Sequence, residues 1–142
     1  MPYFKSQEEM FDIFRSFFEA IASNPAIGPD FHKSKLIVRF QVHDPDGLMT
    51  INCRDVPPAG KYFSFTLGET GVKPDLTLMS SADFNHEFWL GKANVIQALF
   101  GGKVSADGNI ALATKIVPFL KPVFDLYPRI LRQLGREDLI IS

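Results

Sequence analysis

The chain has a single cysteine, Cys53, so no internal disulfide can brace it, and a lone thiol suits a reducing compartment. It also lacks an excess of either charge. Its 15 Lys and Arg face 16 Asp and Glu over 142 residues, a formal net charge of −1, and the basic residues are scattered. Nothing in the net charge favours nucleic acid or an anionic membrane as a long-range electrostatic partner. There is no long apolar run either. The greasiest region, 110–134, is interrupted by Lys115, Lys121, Asp125, Arg129 and Arg132 and by three prolines. It therefore falls short of the ~20 apolar residues of a spanning helix. The opening Met1-Pro2-Tyr3-Phe4-Lys5 has no secretory signal pattern. The expectation is a cytoplasmic protein with no integral membrane segment, for which transient membrane contact and a homodimer both stay open. Aromatics with polar tips are scarce, 3 Tyr and 1 Trp against 14 Phe, which favours a dry interior, whether core or pocket.

Chemistry-bearing patterns are missing as well. His32, His43 and His86 fall without a cysteine pair, an HExxH pattern or a carboxylate at ligand spacing, so no metal is expected. His86-Glu87 reads as a solvated pair on a helix, and Cys53, on the apolar side of a strand, reads as a core thiol rather than a nucleophile. Gly101-Gly102-Lys103 is not a phosphate loop: the required first glycine would fall at Gln97, and the residue after the lysine is Val104. No serine stands in a G-x-S-x-G context, and the turn itself accounts for Asp44 and Asp46. Neither a catalytic residue nor a cofactor is assigned, and an enzyme is not expected.

What is present is periodicity. Ser6-Gln7-Glu8-Glu9 has the spacing of a capping box, and Met10, Phe14, Phe17, Phe18 and Ile21 then recur at helical steps. Asn24-Pro25 and Gly28-Pro29 are expected to stop that helix and open a loop. From Lys35 the period becomes two, with Leu36, Val38, Phe40 and Val42 on one side, and the chain returns through Asp44-Pro45-Asp46-Gly47 with Met49, Ile51 and Cys53. Further strands are expected through Phe63, Phe65 and Leu67, through Leu76 and Leu78, and briefly at 103–107. Each strand is greasy on one side only. That pattern predicts an α+β fold of two layers, a five-stranded and mainly antiparallel sheet with helices covering one face. Ser80 and Asp83 mark another helix start, a short helix is expected from Asn94 to Phe100, and Pro118, Pro122 and Pro128 divide the last region into two or three short segments or a kinked helix. No linker or repeat divides the chain, so 1–142 is read as a single domain with a helical extension at 121–142.

The stretch from Lys73 to Ile116 carries an ordered series: Lys73-Pro74-Asp75-Leu76-Thr77-Leu78-Met79, Ser81-Ala82-Asp83-Phe84, Gly91-Lys92, Ala98-Leu99-Phe100, Gly102-Lys103-Val104, and Gly108 to Ile116. In this order the pieces resemble the sterol-carrier-protein type 2 family. The resemblance implies a hydrophobic tunnel between sheet and helices that accepts fatty acids, acyl thioesters, sterols or similar lipids without covalent chemistry. The expected lining is Phe84, Phe88, Ile96, Leu99 and Phe100, with Phe14 and Phe18 from the first helix and Phe119 and Phe124 from the last region. Lys92 and Lys103 sit where helix C-termini favour a cation, which explains them structurally, and headgroup binding is the alternative role. The segment from Lys121 departs from the family pattern, and a lid over the tunnel, a membrane-docking surface and a dimer contact are all open to it; a lid is the working expectation, since Phe119, Leu120, Val123 and Phe124 adjoin the motif helix. The alternative reading is an accessory domain of the same fold, its interior filled by its own side chains, that binds a protein partner or holds an oligomer together.

Overall fold

A computed structural model describes residues 2–141. Helix α1 (Gln7–Ser23) starts at the expected cap, where Ser6 Oγ accepts from Glu9 N–H at 3.1 Å. Glu9 reaches back one residue further than a capping box requires, to Lys5 N–H. The helix buries Met10, Ile13, Phe14, Phe17, Phe18, Ile21 and Ala22.

The expected loop after α1 contains a second helix, α2 (Gly28–Ser34). Proline breaks a helix interior but suits its first turn, where the missing N–H would be unpaired anyway, and Pro29 occupies that turn. Asn24 closes the intervening turn by accepting from Ala26 N–H at 2.8 Å. This correction matters because α2 delivers Phe31 to the interior.

Strands β1 (Ile37–His43), β2 (Gly47–Asn52), β3 (Ser64–Leu67), β4 (Leu76–Ser81) and β5 (Ser105–Gly108) form one sheet in the order β3-β2-β1-β4-β5. The pairs β1–β2, β2–β3 and β4–β5 are antiparallel; β1 and β4 run parallel, with Phe40 beside Leu78. The alternation places Val38, Phe40 and Val42 inside, while Gln41 and His43 face water. Asp75, from the Pro-Asp of the family series, explains its place structurally. Its carboxylate accepts from Ile37 N–H at 2.9 Å and pairs with Arg54, which holds its pKa below the ordinary carboxylate value. Gly108 lies at φ +101 against the Asp75 carbonyl, where a side chain would collide with backbone.

Helices α3 (Ala82–Trp89), α4 (Val95–Gly101), α5 (Ala111–Ile116) and α6 (Lys121–Gln133) join α1 and α2 in the helical layer. As the prolines require, a 3-10 turn at Val117–Phe119 separates α5 from α6, with Pro118 and Pro122 in first turns; Pro128 lies inside α6. No helix among the described residues is long and apolar enough to cross a membrane.

One hydrophobic cluster runs from Phe4 to Leu139, and its centre is aromatic. Phe17 and Tyr127 approach to 4.5 Å between ring centroids, Phe14 stacks on Tyr127 at 5.9 Å, and both Phe17 and Phe18 meet the Trp89 ring. The segment expected to be a lid belongs to this core: Val123, Tyr127 and Leu131 are fully buried from α6.

His86 is also corrected. It is not a solvated partner of Glu87 but is 0% exposed. Its Nε2 lies 2.7 Å from the Leu139 carbonyl, which can only accept, so Nε2 carries the proton; Nδ1 then accepts from the Tyr127 hydroxyl at 2.7 Å. Burial lowers the His86 pKa from 6.5, the Leu139 carbonyl opposing. The unfolded chain thus takes up a proton that the folded chain refuses. Stability is present in full above pH 6.5 and is lost as pH falls below it toward the lowered folded value. The urea midpoint is expected to fall between pH 7.5 and 5 (about the window in which an ordinary histidine titrates), and more steeply in the wild type than in His86→Gln. Equal slopes would remove His86 as the cause.

Candidate functional site

Between the sheet and the short helices lies a partly open cavity of about 60 Å³. Its floor is the inward row of the central strands, Val38, Phe40, Ile51, Leu76 and Leu78, with Cys53 just beyond β2. Strand alternation puts these side chains on one face, so the floor is a direct product of the period-two pattern. The roof comes from α4 and the end of α5: Val95, Ile96, Ala113, Ile116 and Val117. Phe31 and Phe119 meet edge to face at 5.1 Å at one end, and Phe88 and Trp89 close the side toward α1.

The wall contains no ionised group, and its polar atoms are already engaged. Ser34 Oγ donates to the Phe31 carbonyl at 2.6 Å, and Trp89 Nε1 donates to Asn85 at 3.0 Å. Burial pushes the Cys53 thiol up to about 12, so it stays protonated and inert as a nucleophile. Nothing on this wall can hold a charge or a metal. Elsewhere among the described residues, no group of three or more His, Cys, Asp and Glu is placed to bind a metal ion. The cavity can take up hydrocarbon and exclude water.

The floor and roof differ in how firmly they are held. The floor belongs to a hydrogen-bonded sheet. The roof helices each bury one small residue, Ala98 in α4 and Ala113 in α5, whereas α1 buries seven residues. Few buried apolar contacts mark a segment that opens at low free-energy cost. At about 60 Å³ the cavity exceeds the 10–15 Å³ one water needs but is smaller than the roughly 300–1,000 Å³ of a ligand pocket. A larger ligand must lift the roof.

Of the expected lining residues, Phe88, Ile96 and Phe119 lie on this wall. The other six lie elsewhere, each for a packing reason. Phe14 and Phe18 are fully buried on the far side of Trp89, whose ring separates α1 from the cavity. Phe124 packs edge to face on the Phe88 ring at 5.7 Å, beside Gly91. Phe84 borders a smaller gap of about 10 Å³ with Val104. Leu99 is half-buried away from the wall, and Phe100 is 90% exposed. Phe31, Val95, Ile116 and Val117 were not among the expected lining.

The SCP-2 sterol transfer family model matches residues 17–121. Similar solved structures include sterol carrier protein domain 2 of Helicoverpa armigera (24% identity, covering 82% of this chain and 88% of that one, TM-score 0.62). They also include apo sterol carrier protein 2 of Yarrowia lipolytica (18% identity, 84% and 92% covered, TM-score 0.57). A third is the SCP2 domain of the ubiquinone synthesis protein UbiJ (15% identity, 87% and 95% covered, TM-score 0.56). At these identities the likeness is one of fold. No curated protein sequence matches the chain. The family match takes in the C-terminal part of the first helix, the whole sheet and both roof helices, and this chain belongs to the SCP-2 sterol transfer family.

Proposed function

We propose that this chain binds an apolar lipid reversibly, with the hydrocarbon part between the sheet floor and the α4–α5 roof and no covalent step. The observation that carries this reading is the wall itself, which is apolar throughout and has its polar atoms satisfied by neighbours. Such a wall selects by shape and hydrophobicity, and a polar headgroup is left at the roof edge, where water reaches it. Burying ~10 methylenes at about 0.8 kcal/mol each supplies roughly 8 kcal/mol before ordering and association costs, enough for reversible capture. Lifting α4 and α5 costs less than displacing α1, because the one fully buried residue in each is an alanine and Val95, Leu112 and Ile116 are only half-buried.

The accessory-domain reading has one observation in its favour, the small size of the cavity. The two readings separate in one measurement. Native mass spectrometry of gently purified protein, followed by organic extraction, is expected to find one lipid per chain, and delipidated protein is expected to take up a fluorescent fatty acid. Protein that stays empty in both assays sinks the carrier reading and leaves the accessory one.

A further inference from the structure

We propose that Phe88 is a gate between the main cavity and a second compartment that receives the methyl end of a long, unbranched acyl chain, so that this side chain sets the preferred chain length. The inference rests on the lipid-binding reading and adds the length and shape of the ligand. The gap of about 10 Å³ beside Phe84 shares four wall residues, Phe40, Leu78, Phe88 and Val95, with the cavity of about 60 Å³. Residues that line two neighbouring spaces form the partition between them. Beyond it the gap is bounded by Ser80, Phe84, Asn85 and Val104. None of these is ionised, and both polar side chains are bonded within the protein. Ser80 Oγ donates to the Ser81 carbonyl at 2.9 Å, and Asn85 Oδ1 accepts from Trp89 Nε1 at 3.0 Å. A hydrocarbon end fits such a space, and a carboxylate does not.

The four partition residues differ in freedom. Phe40 and Leu78 are register partners on the parallel strands β1 and β4, and the hydrogen-bonded sheet fixes both. Val95 is short and β-branched, so it has one strongly preferred rotamer in a helix and little reach. Phe88 is the long side chain held outside the sheet, near the end of α3. Its ring is backed by Trp89 at 4.9 Å and by the half-buried Phe124 at 5.7 Å between centroids. Turning it toward Phe124 breaks no hydrogen bond. Phe88 and Val95 also flank the connection 90–94 that joins α3 to α4. The roof movement that admits a lipid therefore carries Val95 away from Phe88 and opens the partition at the same time. A straight chain threads the widened path one methylene after another. A fused ring system has to displace Phe40 or Leu78 as well.

Displacement of a fluorescent fatty acid from the delipidated full chain, by saturated fatty acids of increasing length, tests the proposal. Wild-type affinity should rise about fourfold with each added methylene and then level off once both compartments are filled. Phe88→Leu, which shortens the gate while leaving a smaller hole than alanine, should raise affinity for the longest chains about tenfold relative to the shortest. Val95→Phe, placed at the half-buried side of the partition, should lower that ratio by about the same factor. Urea midpoints will verify that each variant is folded, and either one alone decides the matter. Variants whose affinities change equally at every chain length overturn the gate and leave lipid binding intact, as does a wild-type affinity that ignores chain length. Wild-type protein that binds no fatty acid of any length refutes the lipid-binding reading, and the gate falls with it.

Discussion

A chain ending at Leu120 does not fold. Residues beyond it contribute Val123, Tyr127 and Leu131 at 0% exposure, Leu139 at 3% and Ile130 at 7%. At about 1.5–3 kcal/mol for each large apolar side chain removed from water, their loss costs roughly 10 kcal/mol, comparable with the 5–15 kcal/mol that holds a typical domain together. The truncation also strips His86 of both ring partners and uncovers Phe14 and Phe17 where they pack on Tyr127. Circular dichroism and a urea titration are the measurements. A cooperative transition at the wild-type midpoint would show that 121–142 is a removable cover, as the sequence reading expected. The family match ends at residue 121, so the match and the folding unit are expected to differ by the whole of α6.

If lipid binds between sheet and roof as proposed, Val38→Phe is expected to abolish most of that binding while leaving a folded protein. Val38 rises from the sheet, between β2 and β4, and cannot be pushed aside as the roof can. A phenyl ring there extends into the empty space of the cavity, which limits the overpacking penalty that a solid core would impose. If the ring displaces roughly three methylenes of the ligand, at about 0.8 kcal/mol each, the loss is about 2.4 kcal/mol, close to fifty-fold in affinity. Titration with a fluorescent fatty acid reads it directly. Unchanged affinity in a variant with a normal urea midpoint would place the ligand somewhere other than this cavity.

These two results probe what was hard to read before the chain was folded. The helix from Gln7, the inward rows of the strands and the proline-divided final region follow from local rules: a cap, a period and a missing backbone donor. The Gly-Lys series identified the family because its spacing reflects turns and helix ends, such as the left-handed Gly102 that caps α4. The lining was less legible. Phe14, Phe18, Phe88 and Phe119 are the same side chain with the same preference for burial, and nothing local distinguishes a ring that fills the core from one that faces a cavity. Trp89 makes that division, because its ring stands between α1 and the floor. His86 was misread for a related reason. On a short helix beside Glu87 it has the pattern of a surface residue, and its two partners lie 41 and 53 residues away.

Sequence by itself determined the two-layer fold, the dry one-sided sheet and the family, since each depends on side-chain periodicity and backbone chemistry within a few residues. Only the tertiary structure decided where the interior is solid and where it is hollow. It also made Val123, Tyr127, Leu131 and Leu139 part of the core. Those outcomes depend on which apolar faces meet across the layer, and every such face carries the same hydrophobic drive until the chain has packed.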